Sequence, residues 1–267
     1  MSNNAASASK IIPSATVLLL RDGAEGLEVF MVVRHHQIDF ASGALVFPGG
    51  KADPQDFDDA LIPFLNGAPD DAAQRAIVVS GIRELFEESG VLLARDQGSD
   101  ALVSGERIAG LAQDRERLND GSLPLLEWLQ REQLILACDQ LVHFAHWITP
   151  EMMPKRFDTH FYLVTAPGDQ LAVHDGYESV DSVWIRPQDA LAGAGDGRYT
   201  IIFPTLRNLE KLARHDSVPA ALQASRNDSI VTVLPWTERR DDGNYLCIPT
   251  NAGYTLCEEK MPERSRG

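Results

Sequence analysis

Leu45-Val-Phe-Pro-Gly-Gly-Lys51 and, further along, Arg83-Glu-Leu-Phe-Glu-Glu-Ser-Gly-Val91 decide how this chain is read. The first stretch reads as the end of a strand entering a glycine turn. The second reads as the last turns of a helix, stopped by Gly90. Glu84, Glu87 and Glu88 fall at i, i+3 and i+4 and so share one helical face. Like charges at that spacing repel by roughly a few tenths of a kcal/mol per pair. Three carboxylates kept together beside a tight turn need a cation. Hard divalent ions such as Mg²⁺ take oxygen ligands, usually carboxylates with water and substrate phosphates. Taken alone, Glu87-Glu88 reads more simply as a solvated helix face. The Arg-Glu-x-x-Glu-Glu-x-Gly spacing, with Phe-Pro-Gly-Gly upstream, is far more specific and points to a divalent-metal site that handles a phosphorylated substrate.

Working outward, the chain has 267 residues, 44% of them hydrophobic and 24% charged, the balance of a globular protein with one large core and insertions. Its net charge of −15 argues against a nucleic-acid backbone or an anionic membrane as a main partner. A small anionic substrate stays open if metal ions and local Arg or Lys supply positive charge. The three cysteines, Cys138, Cys247 and Cys257, are widely spaced and form no Cys-x2-Cys zinc pattern, so they read as reduced thiols. Met1 to Lys10 is polar and lacks the apolar core of a signal peptide, the longest apolar runs are too short to span a bilayer, and the expected location is cytoplasmic.

The expected organisation is a disordered start (1–10), a single domain (11–258) and a tail (259–267). Ile11 to Leu20, Glu28 to Arg34 and Ala44 to Phe47 read as strands. Residues 53–70, with three prolines, read as an irregular surface insert. Asp70 or Asp71 caps a helix running to about Ser89, whose Val78, Ile82, Leu85 and Phe86 form an apolar stripe. The glutamate face is offset from that stripe, towards solvent or a cleft. Residues 98–140 read as a helical insert, with helices Arg107 to Leu118 and Leu125 to Cys138. Leu141 to Ile148, Thr159 to Val164 and Val180 to Ile185 read as strands. Helices follow from Pro187 and over Thr205 to Arg214, and Ile230 to Tyr254 reads as β-like. Mixed strands with helices on both faces predict an α/β/α sandwich.

Arg83, Glu84, Leu85, Glu87, Glu88, Gly90 and Val91 match the second half of the Nudix box, and the chain resembles the Nudix hydrolases. The first half departs. A contiguous box needs Gly at 69 and Glu at 75, where Pro69 and Arg75 stand. Gly49-Gly50 supplies the glycines instead, and counting on from Gly50 past five residues gives Asp56. The box is therefore read as split by an inserted loop, Asp53 to about Asp71. Arg34, Gly43 and Phe47-Pro-Gly-Gly50, with Trp147-Ile-Thr-Pro150 and Arg156-Phe-Asp-Thr159, resemble the interrupted-box subgroup that includes coenzyme A diphosphatases. Asp39 and His35 depart from that subgroup's signature.

The resemblance implies the Nudix fold and one to three Mg²⁺ or Mn²⁺ ions held by Glu84, Glu87, Glu88 and the Gly49 carbonyl. It implies water attack on a phosphorus of a diphosphate, with Glu84, Glu87 or a carboxylate outside the box as base, and Arg83 orienting the glutamates. Glu178 is the first outside candidate, with Asp158 and Asp175 behind it; each also reads as a plain loop acid. Arg34, Lys51 and Arg156 are candidate phosphate contacts, while His35 and His36 read as structural. The implied substrate is a small nucleoside diphosphate linked to another group, CoA or acyl-CoA first. A nucleotide sugar or dinucleotide, and a non-hydrolysing sensor of the same fold, remain the alternatives. The resemblance leaves a homodimer open.

Overall fold

The structure, a computed structural model, describes residues 10–34, 43–175 and 179–261. The expected disordered start, apart from Lys10, the residues His35, His36, Asp39 and Glu178, and positions 262–267 lie outside the described residues, as does the side chain of Arg34.

β1 (Ile11–Gly23) turns at Ala24-Glu25 into β2 (Gly26–Arg34), the hairpin that Asp22-Gly23 foreshadows. β3 (Leu45–Val46) pairs with β2, and β4 (Gly49–Lys51) folds back on β1 with Ala15 opposite Gly50. Two short 3-10 turns, Pro54–Phe57 and Asp59–Phe64, carry the chain through the proline-rich insert to β5 (Leu65–Asn66). α1 (Ala72–Ser89) then begins with Asp71 accepting from the Gln74 N–H at 2.9 Å and ends on Gly90 at φ +74°. Both ends are where cap chemistry places them, since Asp satisfies an orphan N–H and only glycine enters the left-handed region freely.

β6 (Ala94–Asp96) leads into the insert of α2 (Gly105–Ala109), α3 (Ala112–Asn119) and α4 (Leu125–Glu132). Here the sequence reading is corrected. The helix expected to reach Cys138 ends at Glu132, and β7 (Leu134–Ala137) pairs between β5 and β6 in a small separate sheet. Gln133 at φ +54° makes the break, and Leu134, Leu136 and Ala137 are buried by the pairing. A short apolar run such as Leu-Ile-Leu-Ala fits a buried strand as well as a helix.

β8 (Val142–Ile148), β9 (Arg156–Thr165) and β10 (Ser179–Ile185) complete most of the main sheet. α5 (Pro187–Gly195), α6 (Phe203–Leu212) and α7 (Val218–Asn227) follow, the last without a counterpart in the sequence reading. β11 (Thr232–Val233) joins the main sheet, while β12 (Trp236–Arg240), β13 (Gly243–Cys247) and β14 (Glu258–Lys260) form a three-stranded sheet. Pairing thus continues to Lys260, past the expected domain end at 258.

The main sheet runs β10-β2-β1-β9-β8-β11, with β1 and β9 parallel through its centre. Alternation along β1 divides the interior. Ala15, Val17 and Leu19 face one core with Ile82, Leu85 and Phe86 of α1 and Trp128 of α4. Leu18 and Leu20 face another with Leu209, Leu212 and Ala221 of α6 and α7. This is the α/β/α arrangement on a mixed sheet. Gly81 lets α1 approach β1: a Cβ there would lie 3.2 Å from the Ala15 Cβ.

Candidate active site

α1 buries more than its apolar stripe. Glu87 and Glu88 are only 5% and 6% exposed, and Arg83 5%, so the glutamate face looks into a cleft. What it meets is the glycine corner. Gly49 lies at φ +149°, and a Cβ on it would fall 2.3 Å from the Ala15 carbonyl oxygen. Its N–H donates to Glu88 Oε2 at 2.7 Å. A Cβ on Gly50 would sit 2.4 Å from Glu84 Cδ, so the Glu84 carboxylate occupies the space a side chain would fill. Gly49 is therefore required by the close approach of backbone, while Gly50 leaves the room that the Glu84 carboxylate takes.

Arg83 organises the acids. Its Nε and Nη2 donate to the two oxygens of Asp56 at 3.0 and 2.9 Å, a bidentate fork, and Nη1 donates to Glu84 at 2.9 Å and to Glu87 Oε2 at 2.8 Å. Nη2 also reaches the Lys51 carbonyl at 3.1 Å. Asp56, 2% exposed, accepts the Asp53 N–H as well, through the box that caps the first 3-10 turn. The two halves of the split box are joined here: the acid counted on from Gly50 is the buried partner of the arginine 27 residues later.

Charge follows from this packing. Burial pulls Arg83 down, but its hydrogen bond to Asp56 and the fields of Glu84, Asp56 and Glu87 outweigh that and hold it cationic. Burial raises the Asp56 carboxyl despite the guanidinium beside it. Glu87 is pushed up to about 8, chiefly by burial against the pull of Arg83, with Glu84 and Asp56 adding repulsion. Its Oε1 is buried and has no hydrogen-bond partner. A buried carboxylate oxygen left over beside two further carboxylates is the donor set a hard divalent cation takes, so these residues fit such an ion.

The remaining expected residues are spread. Lys51 is largely exposed and 3.5 Å from Asp53. Arg156 is buried, its Nε donating to the Thr149 carbonyl at 3.0 Å across the β8–β9 turn. Asp158 lies in β9 beside histidines. Asp175 is carried towards the C-terminal end of α1 by a loop whose Val173 N–H donates to the Ser89 carbonyl at 2.8 Å. Gln170 anchors that loop through Leu92 and Val103.

Arg115 of α3 escaped the sequence reading altogether. It donates to the Glu87 carbonyl at 2.9 Å and the Val173 carbonyl at 3.1 Å, tying the helical insert to the end of α1. Burial lowers it, against the charges of Asp175, Glu116 and Glu88. Nothing in an isolated Gln-Asp-Arg-Glu-Arg run signals that position.

A carboxylate helix packed under a Gly-Gly corner in an α/β/α fold gathers its acids at one cleft of the sheet. Residues 63–212, more than half of the chain, match the family described as the NUDT19 Nudix domain, and the chain belongs to the Nudix hydrolases. It is similar to an acyl-coenzyme A diphosphatase, NUDT19, of Xenopus laevis, 24% identical over 69% of this chain and 59% of that protein. A Caenorhabditis elegans protein that carries nudix hydrolase in its name is 28% identical over 70% of this chain and 56% of its own length. The chain thus spans somewhat more than half the length of these relatives. A crystal structure of a NUDIX hydrolase from Alicyclobacillus acidocaldarius superposes with a TM-score of 0.65 at 28% identity, covering 81% of this chain and 97% of that one. Among the described residues no helix is long and apolar enough to cross a membrane.

Proposed function

We propose that the chain hydrolyses the pyrophosphate bond of a nucleoside diphosphate linked to another group, with CoA or an acyl-CoA as first substrate, using Mg²⁺ or Mn²⁺. The observation that carries this reading is the buried Glu87 Oε1 without a partner, set among Glu84, Glu88 and the Gly49-Gly50 corner. CoA is favoured by the spacing of Arg34, Gly43 and Phe47-Pro-Gly-Gly50 and by the name of the Xenopus relative.

Glu84, Glu87 and Glu88, with the Gly49 carbonyl, would hold the ions. Bound divalent ions would lower the pKa of the attacking water and offset charge on the attacking and leaving oxygens. Arg83 fixes the rotamers of Glu84 and Glu87 so that the carboxylates are aligned before substrate arrives. Water oxygen bonds to one phosphorus, the bridging P–O bond breaks, and the bridging oxygen leaves with the other phosphate. The water proton passes to Glu84, Glu87 or an acid outside the box, Glu178 or Asp175. Lys51, Arg34 and Arg156 are the proposed phosphate contacts. The reduced thiols Cys138, Cys247 and Cys257 fit a cytoplasmic setting.

The test is a panel of CoA, acyl-CoA, nucleotide sugars and dinucleotides with Mg²⁺ or Mn²⁺, products identified by mass, and the assembly state read by light scattering. From CoA the expected products are 3′,5′-ADP and a phosphopantetheine. No turnover on any diphosphate overturns the proposal, and tight binding without cleavage would assign a sensing module instead.

A further inference from the structure

On the same face of the sheet as α1, two strands beyond the glycine corner, β8 and β9 bring together a second set of donors. His146 pairs directly with His160, and Ile148 with Asp158. The two imidazoles stack with centroids 4.0 Å apart. His146 Nε2 is hydrogen-bonded to Asp158 Oδ1, and His160 Nε2 lies 3.9 Å from the same oxygen. One ligand atom from each of the three residues falls within 4.8 Å of the others. The remaining ring nitrogens are already committed: His146 Nδ1 to Thr232 Oγ1 at 2.8 Å, His160 Nδ1 to His143 Nε2 at 3.2 Å.

That double arrangement is what a metal-binding imidazole needs. A partner on one nitrogen fixes the tautomer and the ring plane, and the lone pair of the other is aimed at the ion. Here both Nε2 atoms converge on one carboxylate oxygen, and both Nδ1 atoms are held from behind. Side-chain exposures of 16%, 33% and 14% for His146, Asp158 and His160 leave the group reachable from solvent. The chemistry differs from the glutamate corner. Two nitrogens and one oxygen suit a borderline transition-metal ion, whereas an all-oxygen set suits Mg²⁺.

We propose that His146, His160 and Asp158 form a site for a first-row transition-metal ion of the zinc class, separate from the glutamate corner, with Thr232 and His143 as positioning residues. Three protein ligands leave at least one coordination position for water or a substrate oxygen. His160 pairs with Ala15, and Ala15 with Gly50, so the two sites flank β1 at about two strand spacings, roughly 10 Å.

The test uses the full chain, stripped with EDTA and titrated with Co²⁺ in excess Mg²⁺ while the visible d–d bands are followed. One Co²⁺ per chain is expected, displaced by Zn²⁺ and retained in E87Q. H146Q and H160Q should each weaken binding by at least about a hundredfold, and T232V by about tenfold, the range seen when an outer-shell partner is removed. No Co²⁺ bound in excess Mg²⁺ overturns the proposal, as does binding lost in E87Q but kept in H160Q. Circular dichroism checks that each variant folds. Should H160Q fail that check, anomalous scattering from a cobalt-soaked wild-type crystal decides: a peak among the three side chains supports the site, and a peak only at the glutamates overturns it.

Discussion

Replacing Asp56 by Ala probes the join between the two halves of the box. The carboxylate accepts two N–H groups from Arg83 and one from the Asp53 backbone, at 0% side-chain exposure. Hydrogen bonds to charged groups contribute about 1.5–3 kcal/mol each, and breaking a buried ion pair by removing one partner costs about 3–5 kcal/mol because the other charge is stranded. Arg83 retains Glu84 and Glu87, which favours the lower half of that range. We expect a loss of about 3–4 kcal/mol, a large share of the roughly 5–15 kcal/mol that holds a domain together. At about 2–4 °C per kcal/mol for a chain of this size class, the melting temperature falls by about 10 °C. Arg83, freed on one side, should draw Glu84 and Glu87 towards itself and weaken Mn²⁺ binding. Denaturant melts and Mn²⁺ titration by electron paramagnetic resonance measure both. A loss under about 1 kcal/mol with unchanged Mn²⁺ affinity would refute the assignment of Asp56 as the acid that anchors Arg83.

Other expectations rest on the same corner. Glu87→Gln should cut turnover by at least about a hundredfold, the scale of losing one preorganised electrostatic group, while the metal-free melting temperature stays level or rises; retained activity would count against Glu87 as a ligand. Because Glu87 sits near 8, well above its ordinary 4.5, the unfolded chain ionises first, so the metal-free fold should lose stability as pH rises between those values. Mn²⁺ must displace that proton, so its affinity should climb with pH by up to about tenfold per unit and level off above 8, checked by calorimetry in buffers of different ionisation heat. Gly50→Ala should leave folding nearly intact but lower kcat by about tenfold to a hundredfold, since the new methyl pushes against the movable Glu84 carboxylate. Gly49→Ala meets backbone and a positive φ instead, and should show up as lost stability in a thermal melt.

Much of this was legible because the signals are local. Asp71 and Gly90 bound α1 by cap chemistry, and the β-rich run Ile11 to Leu20 reads as the strand it forms. The Glu84, Glu87, Glu88 face follows from helical spacing, but its burial does not. Spacing shows that the carboxylates are neighbours; only the close approach of Gly49 and Gly50 shows that they are enclosed. Leu134 to Ala137 was misread because its partners, Leu65-Asn66 and Ala94 to Asp96, are distant in sequence, and a strand buried through pairing carries no period of its own. Arg115 was invisible for the same reason. Its contacts, the carbonyls of Glu87 and Val173, lie 28 and 58 residues away and are backbone atoms that carry no residue identity. The backing of His160 by His143 needed the bulge between His143 and Ala145, which puts His143 and His146 on one face although they stand three apart.

The fork from Arg83 to Asp56 also fixes where the segment that follows begins. Once the first 3-10 turn is pinned beneath the helix, residues 57–70 join two fixed points, the cap at Asp71 and the turn at Asp56. Closing a flexible loop twice as long costs only about 0.6 kcal/mol more. The short stretch 67–70, between β5 and the cap at Asp71, can thus lengthen at small cost in loop entropy while the reacting groups keep their places.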